Sequence, residues 1–93
     1  MYSNRIIFGD YNNHLISRLH SRAIFNDFMG KVDKSKEVQL DFSGVRVVTL
    51  SFATELFSNI EKCSLRYTIM NDNQFVREIL GFAVHSTNGL HVQ

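Results

Sequence analysis

The sequence predicts one small α/β domain, in which a mixed or largely parallel sheet is packed by about three amphipathic helices. The chain has 93 residues, 44% of them hydrophobic, which is enough to fill one core and too little for two. Short apolar runs alternate with longer segments whose apolar residues recur at helical spacing. Proline is absent, so the element boundaries follow from periodicity, glycines and capping residues. We therefore expect residues 1–93 to form a single domain.

The first strand and helix are predicted near the N-terminus. Residues 5–8 are an apolar run that stops at Gly9, and residues 11–14 are polar and are predicted to form a turn. Ser17 is a good N-cap, and the helix that follows is expected to end between residues 30 and 33. The apolar stripe of this helix consists of Ile24, Phe25, Phe28, Met29 and Val32.

The second strand and helix occupy the middle of the chain. Residues 37–42 alternate between polar and apolar, which is typical of a strand with one buried face. Gly44 interrupts this pattern, residues 45–48 resume an extended run, and Thr49 or Ser51 is expected to cap the second helix. The inner face of this helix consists of Phe52, Ala53, Leu56, Phe57 and Ile60.

The third strand is predicted over residues 65–70. Asn71 followed by Gln74 fits a capping box for the third helix. The tail from Ser86 is polar and is expected to fray, or else to add an edge strand over residues 90–92. Right-handed crossovers then cover one face of the sheet and leave the other exposed or available for association. The apolar stripe of the third helix consists of Phe75, Val76, Ile79, Leu80, Phe82 and Ala83.

Composition excludes several classes of function. Ten basic and nine acidic residues give a net charge of +1 with no basic stripe, which argues against nucleic acid as a partner. The apolar runs are shorter than the ~20 residues of a membrane span, and the N-terminus lacks a secretory apolar core, so we expect a cytoplasmic protein. The four histidines lack metal-ligand spacing, the five glycines are isolated, and Cys63 is expected to be a half-buried structural thiol. We therefore expect no metal, no cofactor and no membrane contact.

A few charged residues are candidates for a site. Asp41 and Glu55 lie near a predicted strand end and helix start, where α/β sheets place ligands. Arg18 lies in the first turn of the first helix, where the dipole disfavours a cation, so we expect Asp41 or Glu55, or a bound anion, to compensate it. One hypothesis is thus a small nucleotide- or anion-binding domain or enzyme with a site near Ser17, Arg18, Asp41 and Glu55.

Residues 38–57 read VQLDFSGVRVVTLSFATELF. This segment resembles the STAS-like family of bacterial domains of uncharacterised function, whose core is an apolar strand ending in Leu-Asp-Phe-x-Gly-Val, followed by Ser-Phe-Ala-Asp-Glu-Leu-Phe. Thr54 stands where the family pattern has Asp. Further similarities at Phe8 and Gly9, residues 15–18, Asn71 and residues 76–83 extend the resemblance over nearly the whole chain.

The resemblance implies a fold related to the STAS domains of anti-sigma-factor antagonists and a non-enzymatic role in protein–protein signalling. Members of the family are often encoded with, or fused to, histidine-kinase-like ATPases, which implies such an ATPase as the partner. In the antagonists an Asp-Ser-Ser-Gly run starts the second helix, and its first Ser is phosphorylated. The alignment places Thr49 at that Asp, Leu50 at the phosphorylated Ser and Ser51 at the second Ser, so the usual acceptor hydroxyl is missing.

The leading hypothesis is a non-catalytic interaction module that binds a histidine-kinase-like ATPase or a second copy of itself. Its predicted docking surface is the loop over residues 43–51 with the outer face of the second helix. Leu50 is expected either to pack over the first turn of that helix or to be an exposed apolar anchor for the partner. Any phosphorylation is expected on Thr49 or Ser51, because a helix N-terminus favours a phosphate. The docking residues predicted here are Ser43, Thr49, Leu50, Ser51 and Glu55.

Overall fold

The computed structural model describes residues 4–92, with side chains described over residues 4–86. Three helices and five short strands alternate along the chain, as the α/β prediction requires. The strands are β1 (Arg5–Ile7), β2 (His14–Leu15), β3 (Val38–Asp41), β4 (Val47–Val48) and β5 (Tyr67–Met70), with a 3₁₀ turn at Phe8–Asp10. The helices are α1 (Arg18–Met29), α2 (Leu50–Lys62) and α3 (Gln74–Val92).

Every strand pair is parallel. The main sheet has the order β1-β3-β5, with Ile6 opposite Leu40 and Leu40 opposite Ile69. A second, two-stranded sheet pairs β2 with β4. The turn predicted over residues 11–14 was therefore wrong at its last residue. His14 starts β2, a strand too short to show an alternating pattern in the sequence.

The helices lie on one face of the main sheet. Both crossovers run in the same direction across β1, β3 and β5, so right-handed connections place α1 and α2 on the same side. Helix α2 packs between α1 and α3. Ile6, Val38 and Leu40 point into the resulting core and are buried, whereas Arg5 and Gln39 on the opposite face are exposed. No helix within residues 4–92 is long and apolar enough to cross a membrane.

Side-chain caps fix the starts of the helices. The Ser17 hydroxyl accepts a hydrogen bond from the backbone N–H of His20 at 3.0 Å, as predicted for α1. Thr49, rather than Ser51, caps α2 by accepting from the N–H of Phe52 at 3.1 Å. The capping box predicted at Asn71 was wrong.

The cap of α3 lies two residues further along, at Asn73. Its side-chain oxygen accepts from the N–H of Val76 at 2.8 Å. Asn71 instead adopts a left-handed conformation with φ 60° and donates its side-chain N–H to Asp41. The short Asn can do both because it tolerates a positive φ better than most residues.

Two further expectations are corrected near helix C-termini. Helix α3 continues to Val92, so the backbone over residues 90–92 is helical and does not form an edge strand. Cys63, at the end of α2, is exposed and does not form part of the core. The chain turns directly after Cys63, where Ser64 has a left-handed φ of 54°.

Candidate functional site

The helices α1 and α2 begin side by side, because hydrogen bonds tie the loops before them together. The backbone N–H of Thr49 donates to the carbonyl of Leu15 at 3.0 Å, and its hydroxyl donates to the carbonyl of Ile16 at 2.5 Å. These bonds extend the parallel pairing of β2 with β4 by one residue. Two segments that are distant in sequence therefore meet at one rim of the molecule.

Three large apolar side chains are exposed at this rim. The exposed fractions are 48% for Ile16, 72% for Leu19 and 48% for Leu50. We call these three residues the entry surface, since they flank the starts of both helices. Leu50 has the exposure that the docking interpretation requires, whereas the alternative, a leucine packed over the first turn, would bury it. Docking itself stays a prediction.

The two hydroxyls beside Leu50 differ in their surroundings. The Thr49 hydroxyl is engaged twice, as donor to Ile16 and as acceptor from Phe52. Ser51 is the second residue of α2 and is exposed. A phosphate on Thr49 would break the cap of α2, so Ser51 is the more accessible of the two predicted positions.

Asp41 is a buried carboxylate at the carboxyl end of β3. It accepts from the N–H of Ser43 at 2.9 Å, from the hydroxyl of Ser43 at 2.5 Å and from the side chain of Asn71 at 3.1 Å. Arg5 approaches it at 3.5 Å. Burial opposes ionisation, but these hydrogen bonds and the Arg5 charge outweigh it and hold the pKa of Asp41 below its usual range. Asp41 thus links the end of β3 to the first residue of β1 through Arg5 and to the residue after β5 through Asn71.

Glu55 joins α2 to α1. It lies 3.2 Å from Arg22 on α1 and 3.1 Å from the side-chain N–H of Asn59. Burial opposes ionisation of Glu55, yet Asn59, Arg22 and the nearby charge of Arg18 lower its pKa. A structural role within the chain explains this carboxylate, and its part in docking stays a prediction.

The ion pair predicted for Arg18 is not formed. Asp41 pairs with Arg5, and Glu55 pairs with Arg22, which lies one turn further along α1 than Arg18. Arg18 stays exposed, and within the described part of the chain no ion pair involves it. It acts on Glu55 only through its charge.

Within the described residues, no hydrogen bond or ion pair joins the four residues of the predicted nucleotide or anion site to one another. Ser17 caps α1, Arg18 is exposed, and Asp41 and Glu55 belong to separate hydrogen-bonded groups. Among residues 4–86, no group of three His, Cys, Asp or Glu side chains could hold a metal ion.

The packing of two loops explains the glycines at positions 9 and 44. A Cβ atom on Gly9 would lie 2.2 Å from the carbonyl oxygen of Ser43, and Gly44 has a left-handed φ of +79°. The loops after β1 and β3 can pack together only because both residues lack a side chain. This contact was not foreseen, although both glycines stand in the quoted motifs.

Sequence reasoning also missed Ile16 and Leu19 as members of a surface. A signal was present, because Leu19 falls outside the buried stripe of α1. Ile16 and Leu50 come to the same rim because β2 pairs with β4. Strands of two residues are too short to be recognised in the sequence, so this pairing could not be predicted.

Comparison with known proteins agrees with the motif. No curated protein and no solved structure matches the chain. The model of one family, described as a STAS-like domain of unknown function (DUF4325), matches residues 24–62. The matched segment runs from the middle of α1 to the end of α2 and includes Gly44, Thr49 and Leu50. The similarities noted at Gly9 and Asn71 lie outside it. Residues 24–62 thus match a STAS-like domain of unknown function, the family that the sequence resembles.

Proposed function

We propose that this protein is a non-catalytic interaction module that docks a protein partner through the entry surface. The observation that carries the proposal is the exposure of Ile16, Leu19 and Leu50 at one rim. Single exposed apolar residues are ordinary on protein surfaces, but a group of them marks a binding surface. Here hydrogen bonds between two loops hold the group in place, so it would lose little entropy on binding.

The surroundings of the entry surface suit a protein interface. Arg18 and Ser51 are exposed polar residues beside it, which gives an apolar centre with a polar rim. A phosphate on Ser51 would add negative charge next to Leu50, and the start of α2 would stabilise that charge. Phosphorylation there would change the surface without disturbing the core.

The partner that we propose is a histidine-kinase-like ATPase of a bacterial signalling system in the cytoplasm. The family resemblance supports this choice, since STAS-like domains are often encoded with such ATPases. The exposed leucines support a protein partner without selecting its class, because an apolar anchor can bind a protein surface without a phosphate group.

The Leu50→Asp variant tests the proposal. Leu50 is half exposed at the first position of α2, where the dipole favours a negative charge, so the free energy of unfolding should change by less than about 1 kcal/mol. Binding to a histidine-kinase-like ATPase encoded by a neighbouring gene should fall at least about tenfold, a loss of roughly 1.4 kcal/mol. Isothermal titration calorimetry measures the binding, and denaturant unfolding measures the stability.

Ile7→Thr is the matched control, because Ile7 is exposed on the opposite face of the sheet. It should leave binding unchanged. A folded Leu50→Asp variant that binds the ATPase as tightly as the parent would remove Leu50 from the interface. Nucleotides and phosphate esters should not raise the melting temperature of the parent, whereas a clear rise would favour the anion-binding alternative.

A further inference from the structure

The outer face of α3 carries a second exposed apolar group. Phe75 is 52% exposed and Phe82 is 66% exposed. They are seven residues apart, so they lie on the same side of the helix, two turns from each other. Glu78 and His85 are exposed on this side as well, three residues after each phenylalanine. We call these four residues the outer stripe of α3.

Gly81 lies next to the outer stripe, and no contact within one molecule requires a glycine at this position. A Cβ atom at this position would meet nothing within 4 Å. Glycine in the middle of a helix costs about 1 kcal/mol relative to alanine. The residue is therefore unfavourable for the isolated helix, and neither a tight turn nor a close internal contact requires it.

The missing side chain leaves a hollow beside a protruding ring. An open cleft of about 460 Å³ is lined by Glu78, Gly81, Phe82 and His85. The exposed ring of Phe82 and the bare backbone of Gly81 both line this cleft. A knob and a hole of this kind, side by side on one helix, can interlock with a copy of themselves.

We propose that α3 binds α3 of a second copy in antiparallel orientation. The midpoint between positions 81 and 82 is also the midpoint between positions 78 and 85. A two-fold axis through that point therefore places Phe82 over Gly81 of the partner subunit and places Glu78 opposite His85 of the partner subunit.

Charge complementarity favours the antiparallel pair over other ways of covering the outer stripe. In the antiparallel pair each Glu78 carboxylate faces the imidazole of His85 of the partner subunit, which can donate an N–H to it. A parallel pair would place like groups opposite each other, Glu78 against Glu78. Helix α3 extends to Val92, so the backbone continues well past the axis in both directions.

The dimer is independent of the proposed docking function. Helix α3 packs on α2 through its inner face, whereas the entry surface lies at the starts of α1 and α2. A dimer through α3 would present two entry surfaces, so a dimeric partner could be bound at both sites with increased avidity.

The Gly81→Gln variant separates dimer formation from folding. Glutamine is a good helix former, and the space at position 81 is open. At concentrations low enough for the parent to be monomeric, the melting temperature of the variant should therefore be equal to that of the parent or higher. The same side chain fills the hole that receives Phe82, so the dissociation constant measured by sedimentation equilibrium should increase at least about tenfold. A parent protein that stays monomeric at millimolar concentration, or a variant that dimerises as tightly as the parent, would overturn the proposal.

A charge exchange tests the orientation. Glu78→Lys places Lys opposite His, and His85→Asp places Glu opposite Asp, so each variant alone should dimerise more weakly than the parent. An equimolar mixture should form a heterodimer, because one contact becomes Lys with Asp and the other stays His with Glu. A mixture that associates no better than either variant alone would contradict the antiparallel register.

Leu19→Gln is the matched control, since Leu19 is exposed on α1 and belongs to the entry surface. It should leave the dimer of α3 intact. If Leu19→Gln dissociates the dimer and Gly81→Gln does not, self-association runs through the entry surface and the assignment to α3 is wrong.

Discussion

Gly9 is in closer contact with its surroundings than the other glycines with described neighbours. The Cβ of an alanine would lie 2.2 Å from the carbonyl oxygen of Ser43, and this neighbour is backbone that cannot rotate away. We expect Gly9→Ala to lower the free energy of unfolding by about 1–3 kcal/mol, because the loops after β1 and β3 must separate. Denaturant unfolding with urea measures the change.

Gly30→Ala is the control for this prediction. Its Cβ would lie 3.6 Å from the nearest atom, an ordinary contact, and its backbone is in the right-handed helical region. Alanine there should be neutral or slightly stabilising. Equal stabilities for the two variants would show that the loops adjust at no cost.

Single residues also show which parts of the site the sequence could predict and which it could not. Leu50 could be chosen from the sequence because it replaces a hydroxyl in a recognisable motif. The partner of Asp41 could not be chosen, because Arg5 reaches it only through the register of β1 against β3. Long-range pairing decides which charges meet, and no local pattern contains that information.

The 3₁₀ turn after β1 is connected to α1 by one hydrogen bond. Tyr11 donates its hydroxyl to Asp27 at 2.5 Å. Burial and this bond raise the pKa of Tyr11 from 10.0 to about 12. Because the folded state holds this proton more tightly than the unfolded state, the stabilisation is complete below pH 10 and is lost as the pH rises toward 12.

The Tyr11→Phe variant tests this link. In the parent, the free energy of unfolding should fall as the pH rises from 10 to 12. The decrease should be smaller in the variant but still present, because burial raises the pKa of Tyr67 as well. Urea unfolding over this pH range measures both proteins. The same pH dependence in both would assign the effect to other groups.

The elements themselves differed in how well the sequence predicted them. The three helices were predictable because each has an apolar stripe of which the core buries at least three residues. The stripe predicted for α3 was wrong at Phe75 and Phe82, which are exposed. The cap of α3 was not, because Asn71 and Asn73 offer the same side chain two residues apart. The contact of Asn71 with Asp41, formed across the sheet, decided between them.

On the scale of the whole molecule, the main sheet is covered on one face only. Parallel sheets are usually buried on both faces, and their strands are then apolar throughout. Here Arg5, Gln39 and Thr68 lie opposite one another on the uncovered face and are exposed. The alternation of residues 37–42 predicted this arrangement, since a strand buried on both faces would not have polar residues at every second position.

The parallel pairing throughout the fold also bears on how the chain acquires its structure. Ile6 must find Leu40, and Leu40 must find Ile69, so no pair of strands can form as a local hairpin. The chain must therefore lose the entropy of closing long loops before any strand pairing stabilises it. Folding should for this reason be slower than in a helical bundle of the same length. With no proline in the chain, refolding should lack the phase of tens of seconds that prolyl isomerisation produces, which stopped-flow fluorescence of the tyrosines can check. On a ribosome, the core would stay incomplete until β5 and α3 had emerged, because α1 covers only one side of α2 and α3 covers the other.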